Sequence, residues 1–265
     1  MTAVAAPVTS ARTFGEASAP SRQPKELSPN AMARLAAVLT LVMIVGGVVA
    51  QAVLIDPIIV SGNAAATAHN IVANQAAIRA AFAIFMVEMA CQIGTTAVMY
   101  ELLAPVDRGL ARTAAAFGYV GGAIKILARV FLYSPLYVLS GSSYLSSFNQ
   151  SQLETISYLL LRINNLGAGT ACIFLGASTM MFGCLMLRAS FLPRVLGLLG
   201  LVGGTGWLVY LYPPLTSVFF LPVALFALFG CMVTIGWFVI RGVDEKKWYE
   251  TLAISASSIW RRVQR

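Results

Sequence analysis

Charge is what this chain has least of. Only 11% of its 265 residues are Asp, Glu, Lys or Arg, against about 25% in an ordinary soluble domain. So few charges cannot cover a water-facing exterior, which excludes a conventional soluble globule. Histidine is nearly missing too, since His69 stands alone and far in sequence from every cysteine. The cysteines Cys91, Cys172, Cys184 and Cys231 all lie in apolar runs and form no C-x-x-C pair. A structural zinc site therefore lacks its clustered ligands, and those positions read as buried reduced thiols. The chain has no Ser/His/Asp set, no H-E-x-x-H and no Walker sequence. The usual hydrolase and nucleotide chemistries lack their parts, so no catalytic residue, metal or cofactor is assigned. The internal repeat common in secondary transporters is also missing, which weakens a transport reading.

What fills the chain instead is apolar: 58% of residues are hydrophobic and the mean hydropathy is +0.80. They come in runs of about twenty, the length that crosses the hydrocarbon core of a bilayer. Ser28 and Pro29 supply a cap and a first-turn proline, and Leu35 to Leu54 is then the first span, ended by Asp56 and Pro57. A polar stretch containing Asn63, Thr67, His69, Asn70 and Gln75 follows and predicts a short helix at the outer surface. Further spans run from Ala76 to Leu103, Gly109 to Val138, Leu153 to Leu187, near Pro193 to Tyr212 and Val218 to Ile240. The fold expected is an all-α polytopic membrane bundle of about six transmembrane helices. Its second and third helices form a hairpin about the turn at Asp107 and Arg108.

The formal charge is +8, from 18 basic and 10 acidic residues. Lys and Arg gather in the N-terminal arm, in alternate loops and in the tail rather than on one soluble face, which argues against nucleic acid. That alternation predicts both termini in the cytoplasm of a cell with a multi-pass inner membrane, with Arg79 as the exception. Residues 1–32 are poor in apolar groups and read as a disordered cytoplasmic arm, residues 33–242 as the transmembrane domain, and residues 243–265 as a cytoplasmic tail. In the tail, Trp248, Leu252, Ala256, Ile259 and Val263 recur at helical spacing, opposite Lys247, Glu250, Ser258, Arg261 and Arg265. This is the pattern of an amphipathic helix lying on membrane lipid, or of one that binds a protein partner.

Ionisable groups within spans are the sharpest functional pointers, because each costs about 2.5–3.5 kcal/mol near mid-bilayer on insertion scales. Glu88 lies in the second span, Lys125 and Arg129 in the third and Arg162 in the fourth. Counting from Val106, Glu88 is 18 residues back and Lys125 is 19 forward, so a hairpin brings them to one level. Arg129 is one turn beyond Lys125 on the same side. Asn164 and Asn165 adjoin Arg162, and Gln92, Thr95 and Thr96 continue the polar strip from Glu88. If they converge, three cations against one carboxylate make a pocket in the outer half that suits a small anion or a lipid head group. The plainer alternative is that Glu88 and Lys125 only hold the hairpin in register while Arg129 and Arg162 snorkel to the interface. Asp56 and Glu154 near the outer face could do acid and base work only if the fold joined them.

The glycines of 197–206 have no preceding strand, so Gly200 with Gly204, and Gly118 with Gly122, read as small faces for close helix packing in lipid. The leading expectation is a ligand-binding, non-enzymatic membrane protein, transporter-like or an accessory subunit. A membrane enzyme acting on a lipid or isoprenoid, and a purely structural or oligomer-forming role, are the alternatives.

Three segments carry a resemblance: Gly-Asn-Ala-Ala-Ala-Thr-Ala from Gly62, Leu-Ala-Pro-Val-Asp-Arg-Gly-Leu from Leu103, and Leu-Pro-Arg-Val-Leu-Gly from Leu192. Over Ala33 to Gly242 the chain resembles the bacterial membrane family termed domain of unknown function 4386. The resemblance implies a six-helix membrane bundle and no established activity. Members of that family tend to carry an acidic residue where this chain has Gln92 and a histidine where it has Asn164.

Overall fold

The computed structural model describes residues 27–263. The expectation of a disordered arm therefore falls on residues that, up to position 26, lie outside the described ones. Nine helices are described: α1 Pro29–Val48, α2 Ala64–Ala73, α3 Gln75–Leu103, α4 Arg108–Tyr133, α5 Pro135–Val138, α6 Gln150–Arg188, α7 Arg194–Gly206, α8 Pro213–Ile240 and α9 Glu245–Val263. Helix α1 runs on through a π-helical segment, Val49–Ile55, and a 3-10 turn, Asp56–Ile58. Six segments are long and apolar enough to cross a bilayer: Pro29–Ile58, Gln75–Leu103, Arg108–Val138, Gln150–Arg188, Arg194–Leu211 and Pro214–Ile240.

Local chemistry sets the ends of these helices. The Ser28 side chain accepts a hydrogen bond from the Ala31 N–H, and Pro29 occupies the first turn, where its missing N–H costs nothing. Asn63 caps α2 and Asp107 caps α4 in the same way, while Asn149 and Gln152 form a reciprocal capping box for α6. Gly242 ends α8 with φ +67°, and a Cβ there would collide with Asn30 Oδ1, so both the turn and the approach of α1 require glycine. The first helix starts at Pro29, where the Ser28 cap and the proline predict it, and its Met32 is buried.

Two apolar clusters sit at opposite ends of the bundle. At the end carrying α9, Ala33, Ala36 and Ala37 of α1 meet Leu102, Leu185, Leu196, Phe238 and Trp248. At the end carrying α2, Ala50 and Ile55 meet Ile71, Ile78, Phe85, Leu132 and Leu161. Helix α6 has 39 residues, about 58 Å of helix against a hydrocarbon core of about 30 Å, and packs on both α4 and α7.

Lipid supplies no hydrophobic drive between helices, so close approach matters. Along α6 and α7 that approach is made by glycine: a Cβ at Gly176 would lie 2.6 Å from Trp207 Cβ and 2.7 Å from the Gly204 carbonyl oxygen. Gly183 and Gly197 are equally tight. On α4 the tight positions are Gly118, against Thr96 and Ser178, and Gly121, against Leu175. Gly122 meets only Ile93, at 3.8 Å, so the expected pair of Gly118 with Gly122 is replaced by Gly118 with Gly121.

The tail forms the expected helix, and one residue of its apolar stripe docks on the bundle. Trp248 is buried in the bundle rather than lying on lipid, and its indole N–H donates to the Leu102 carbonyl at 2.9 Å. Leu252 and Ile254 remain exposed. The side chains of Ser258, Ile259, Arg261 and Val263, and Arg265, lie outside the described residues.

Candidate functional site

Glu88 stands near the middle of α3, about 20 Å from either end of the helix at 1.5 Å per residue. Its Oε1 is 2.6 Å from Lys125 Nζ on α4, the level match that the hairpin predicts. One turn away toward the α2 end, Phe85 on α3 meets Arg129 on α4, whose guanidinium carbon lies 3.7 Å from the ring centroid. Arg129 Nη1 donates to Asn164 Oδ1 at 3.1 Å, and Asn164 Nδ2 donates to Asn165 Oδ1 at 3.0 Å. Arg129 is only 5% exposed, so it does not snorkel.

The structure brings Glu88, Lys125, Arg129 and Asn164 together and leaves Arg162 out. Arg162 is exposed and makes no hydrogen bond or ion pair among the described residues. It sits two residues before Asn164 on a helix, and that spacing turns it to another face. Asn165 is exposed as well. Asp56 accepts from Gln51 and Glu154 from Gln150, so these two carboxylates are not joined.

A cavity of about 470 Å3 opens at the Glu88–Lys125 pair. It does not extend into the half nearest α2, where the sequence placed the polar pocket. It runs instead toward α9, between α1, α3, α6, α7 and α8. Its far wall is Met99, Phe182, Met186 and Phe238, and its near end is polar, with Gln92, Thr95 and Thr96 beside Glu88. The reason is volume: Ala36, Ala37, Gly47, Gly200, Gly203, Ala224 and Ala227 line it, whereas beyond the ion pair Phe85 and Arg129 fill the space. Arg129 does not line the cavity, so the expected surplus of positive charge is not present there. The lining holds one carboxylate and one ammonium, already paired.

Three polar atoms in this region are buried without a hydrogen bond among the described residues, Glu88 Oε2, Thr95 Oγ1 and Arg129 Nε. Gly47 of α1 packs directly over the carboxylate, and a Cβ there would be 3.2 Å from Oε1. Gln92 Nε2 donates to Thr96 Oγ1 at 3.3 Å, and that hydroxyl donates to the Gln92 carbonyl at 2.9 Å. The cavity itself, formed by small residues on α7 and α8 far along the chain, was not foreseen from the sequence. The signal for it was the run of glycines read only as packing faces.

The capped α2, the turn at Asp107, the Leu192–Gly197 segment and the six spans now stand in one arrangement. Residues 35–242 match the family described as Domain of unknown function (DUF4386). The chain belongs to that family. No curated protein and no solved structure matches it. DUF4386 membership fixes the extent of the shared unit, from α1 to the end of α8, and leaves α9 beyond it. The residues at the cavity mouth, Glu88, Gln92 and Lys125, and the buried Arg129 and Asn164 all fall within the matched stretch.

Proposed function

We propose that this protein is a bacterial inner-membrane protein that holds a lipid-like amphiphile in its mid-membrane cavity, as a transporter-like or accessory component rather than an enzyme. The observation that carries the reading is Glu88: a carboxylate residue about 20 Å from either end of α3, by about 1.5 Å per residue, that lines a mostly apolar cavity and keeps one oxygen buried without a partner among the described residues. Clefts of roughly 300–1,000 Å3, apolar with a few convergent polar groups, are the usual form of small-molecule sites. A small inorganic anion fits poorly, because the one cation lining the cavity is engaged by Glu88.

The same reading places α9 and both chain ends in the cytoplasm. Arg108, Arg112, Arg188, Arg194, Arg241, Lys246 and Lys247 all lie at or near the α9 end of the helices, which supports that orientation through the positive-inside bias. The cavity then occupies the cytoplasmic half.

Native mass spectrometry of gently extracted protein tests the proposal. Wild type should carry a bound lipid-like species, and an Ala227→Phe variant, which fills the cavity from α8, should lose it while remaining helical and monodisperse. If neither form carries one, the purely structural reading replaces it, a reading favoured by the short 2.6 Å contact of Lys125 with Glu88.

A further inference from the structure

Where the cavity meets the outside says how a ligand reaches it and which part of the ligand enters, an inference that rests on the ligand-binding reading above. Toward α9 the cavity ends on the buried apolar cluster of Leu102, Leu196, Phe238 and Trp248, and toward α2 it ends on Phe85 and Arg129. The side between α1 and α8 differs. On α1 the lining residues Ala36 and Ala37 are each 1% exposed, whereas Val48, three turns along the same lining, is 54% exposed. On α8 the lining residue Phe238 is 2% exposed and Leu228 is 41% exposed. The two helices run antiparallel, so both linings open in one direction, away from α9.

That exposure leads to lipid. Val48 continues the exposed stripe of Val38, Leu41 and Val45 on α1, and Leu228 belongs to the exposed stripe of Leu221, Leu225 and Met232 on α8. Each of the two residues is thus part of the cavity wall and of the lipid-facing surface at once. The outer half of α8 does not close the gap. No described residue in 214–229 is buried, and its packing is on α7, with Val223 against Gly206 and with Phe226 and Ala227 against Gly203.

Depth decides what passes. Gly47 packs over the Glu88 carboxylate, so its neighbour Val48 lies at the mid-helix level, about 15 Å from either head-group layer of a hydrocarbon core about 30 Å thick. The chain ends of bilayer lipids meet at that level. The edges of the opening, Val48, Ala224 and Leu228, are apolar. A head group drawn between them would be desolvated without partners, whereas a chain end gives up no hydrogen bond in passing. Inside, it meets the apolar wall of Met99, Phe182 and Met186.

We propose that the cavity takes an acyl chain of a bilayer lipid, threaded end first between α1 and α8, with the head group left at the membrane surface.

The test uses the full chain in phosphatidylcholine nanodiscs doped with phosphatidylcholine that bears a diazirine either at the end of one acyl chain or beside its ester. After irradiation, labelled residues are mapped by peptide mass spectrometry, with the exposed Leu127 of α4 as the lipid-facing reference at mid-span. The chain-end probe should label the buried wall residues Phe182 and Met186 as well as Leu127, and the ester-side probe should miss the wall. Leu228→Trp and Val48→Trp, which narrow the opening from its two edges at lipid-facing positions, should each abolish wall labelling and leave Leu127 labelled. Wall labelling that survives both substitutions overturns the route between α1 and α8. Wall labelling as strong from the ester-side probe as from the chain-end probe means that the head group enters, which overturns threading and leaves the ligand-binding reading standing. An unlabelled wall with both probes overturns the proposal. The ligand-binding reading then survives if native mass spectrometry still finds a species that Ala227→Phe loses, and falls with the proposal if it finds none.

Discussion

The two halves of this bundle treat buried charge in opposite ways. Toward α2, Arg129 is enclosed by protein: Phe85 lies against one side of its guanidinium and Asn164 accepts from it. Toward α9, Glu88 and Lys125 pair with each other and line a cavity. The first arrangement fixes a charge by filling the space around it. The second leaves part of a charge exposed to whatever occupies the space. In one helix pair, α3 and α4, a single turn separates a packed polar core from an open polar mouth.

Breaking the ion pair should give the largest effect. Glu88→Leu strands a buried ammonium, and losing one partner of a buried pair costs about 3–5 kcal/mol. The double variant Glu88→Leu with Lys125→Leu should recover most of that loss, as read by reversible unfolding in mixed micelles. No recovery would mean that the carboxylate has a role beyond its partner. In the packed half, Asn164→Leu removes the side-chain acceptor of Arg129 and should cost about 2 kcal/mol, the scale of a hydrogen bond to a charged group. A cost equal to that of Glu88→Leu would erase the distinction between the halves.

The smallest effect concerns the end of the cavity half. Asp244 immediately precedes α9, and the backbone N–H of Lys247 holds its carboxyl below the ordinary range. A carboxyl lowered in the folded state stabilises it above the unfolded value of about 3.9, and this support is lost as the pH falls through the lowered folded value. Hydrogen-exchange protection, taken relative to the intrinsic rate at each pH, should therefore fall in the first turn of α9 at acid pH, while that of α2 stays unchanged. Asp244→Asn should abolish the difference.

How much of this was legible in advance follows from what each feature depends on. Spans, caps and turns depend on neighbours in sequence, so the cap at Ser28 and Pro29 and the turn at Asp107 could be read directly. The level of Glu88 with Lys125 depends only on a short turn and a fixed rise per residue. Which way Arg162 points depends on the rotation of α6 about its own axis, set by Gly176 and Gly183 packing on α7. No local pattern reports that rotation. Arg129 and Arg162 look equivalent in sequence, and packing sends one to the interior and the other outward. Trp248 misled for a related reason: an indole at the edge of an amphipathic helix suits lipid and protein equally, and the free carbonyl of Leu102 decides between them.

The clasp at the α9 end has a consequence in time. Asn30 donates its N–H to Glu245 Oε1 at 3.3 Å and accepts from the Val243 N–H at 2.8 Å, across separations of 215 and 213 residues. At about 5–20 residues per second, a ribosome takes roughly 10–40 s to cover that distance. Throughout that interval the first turn of α1 is in the membrane with its contacts unmade, and the α3–α4 turn presents a carbonyl with no indole. The bundle is thus closed by a piece synthesised well after α1, so the assembly machinery must hold α1 in readiness until α9 arrives.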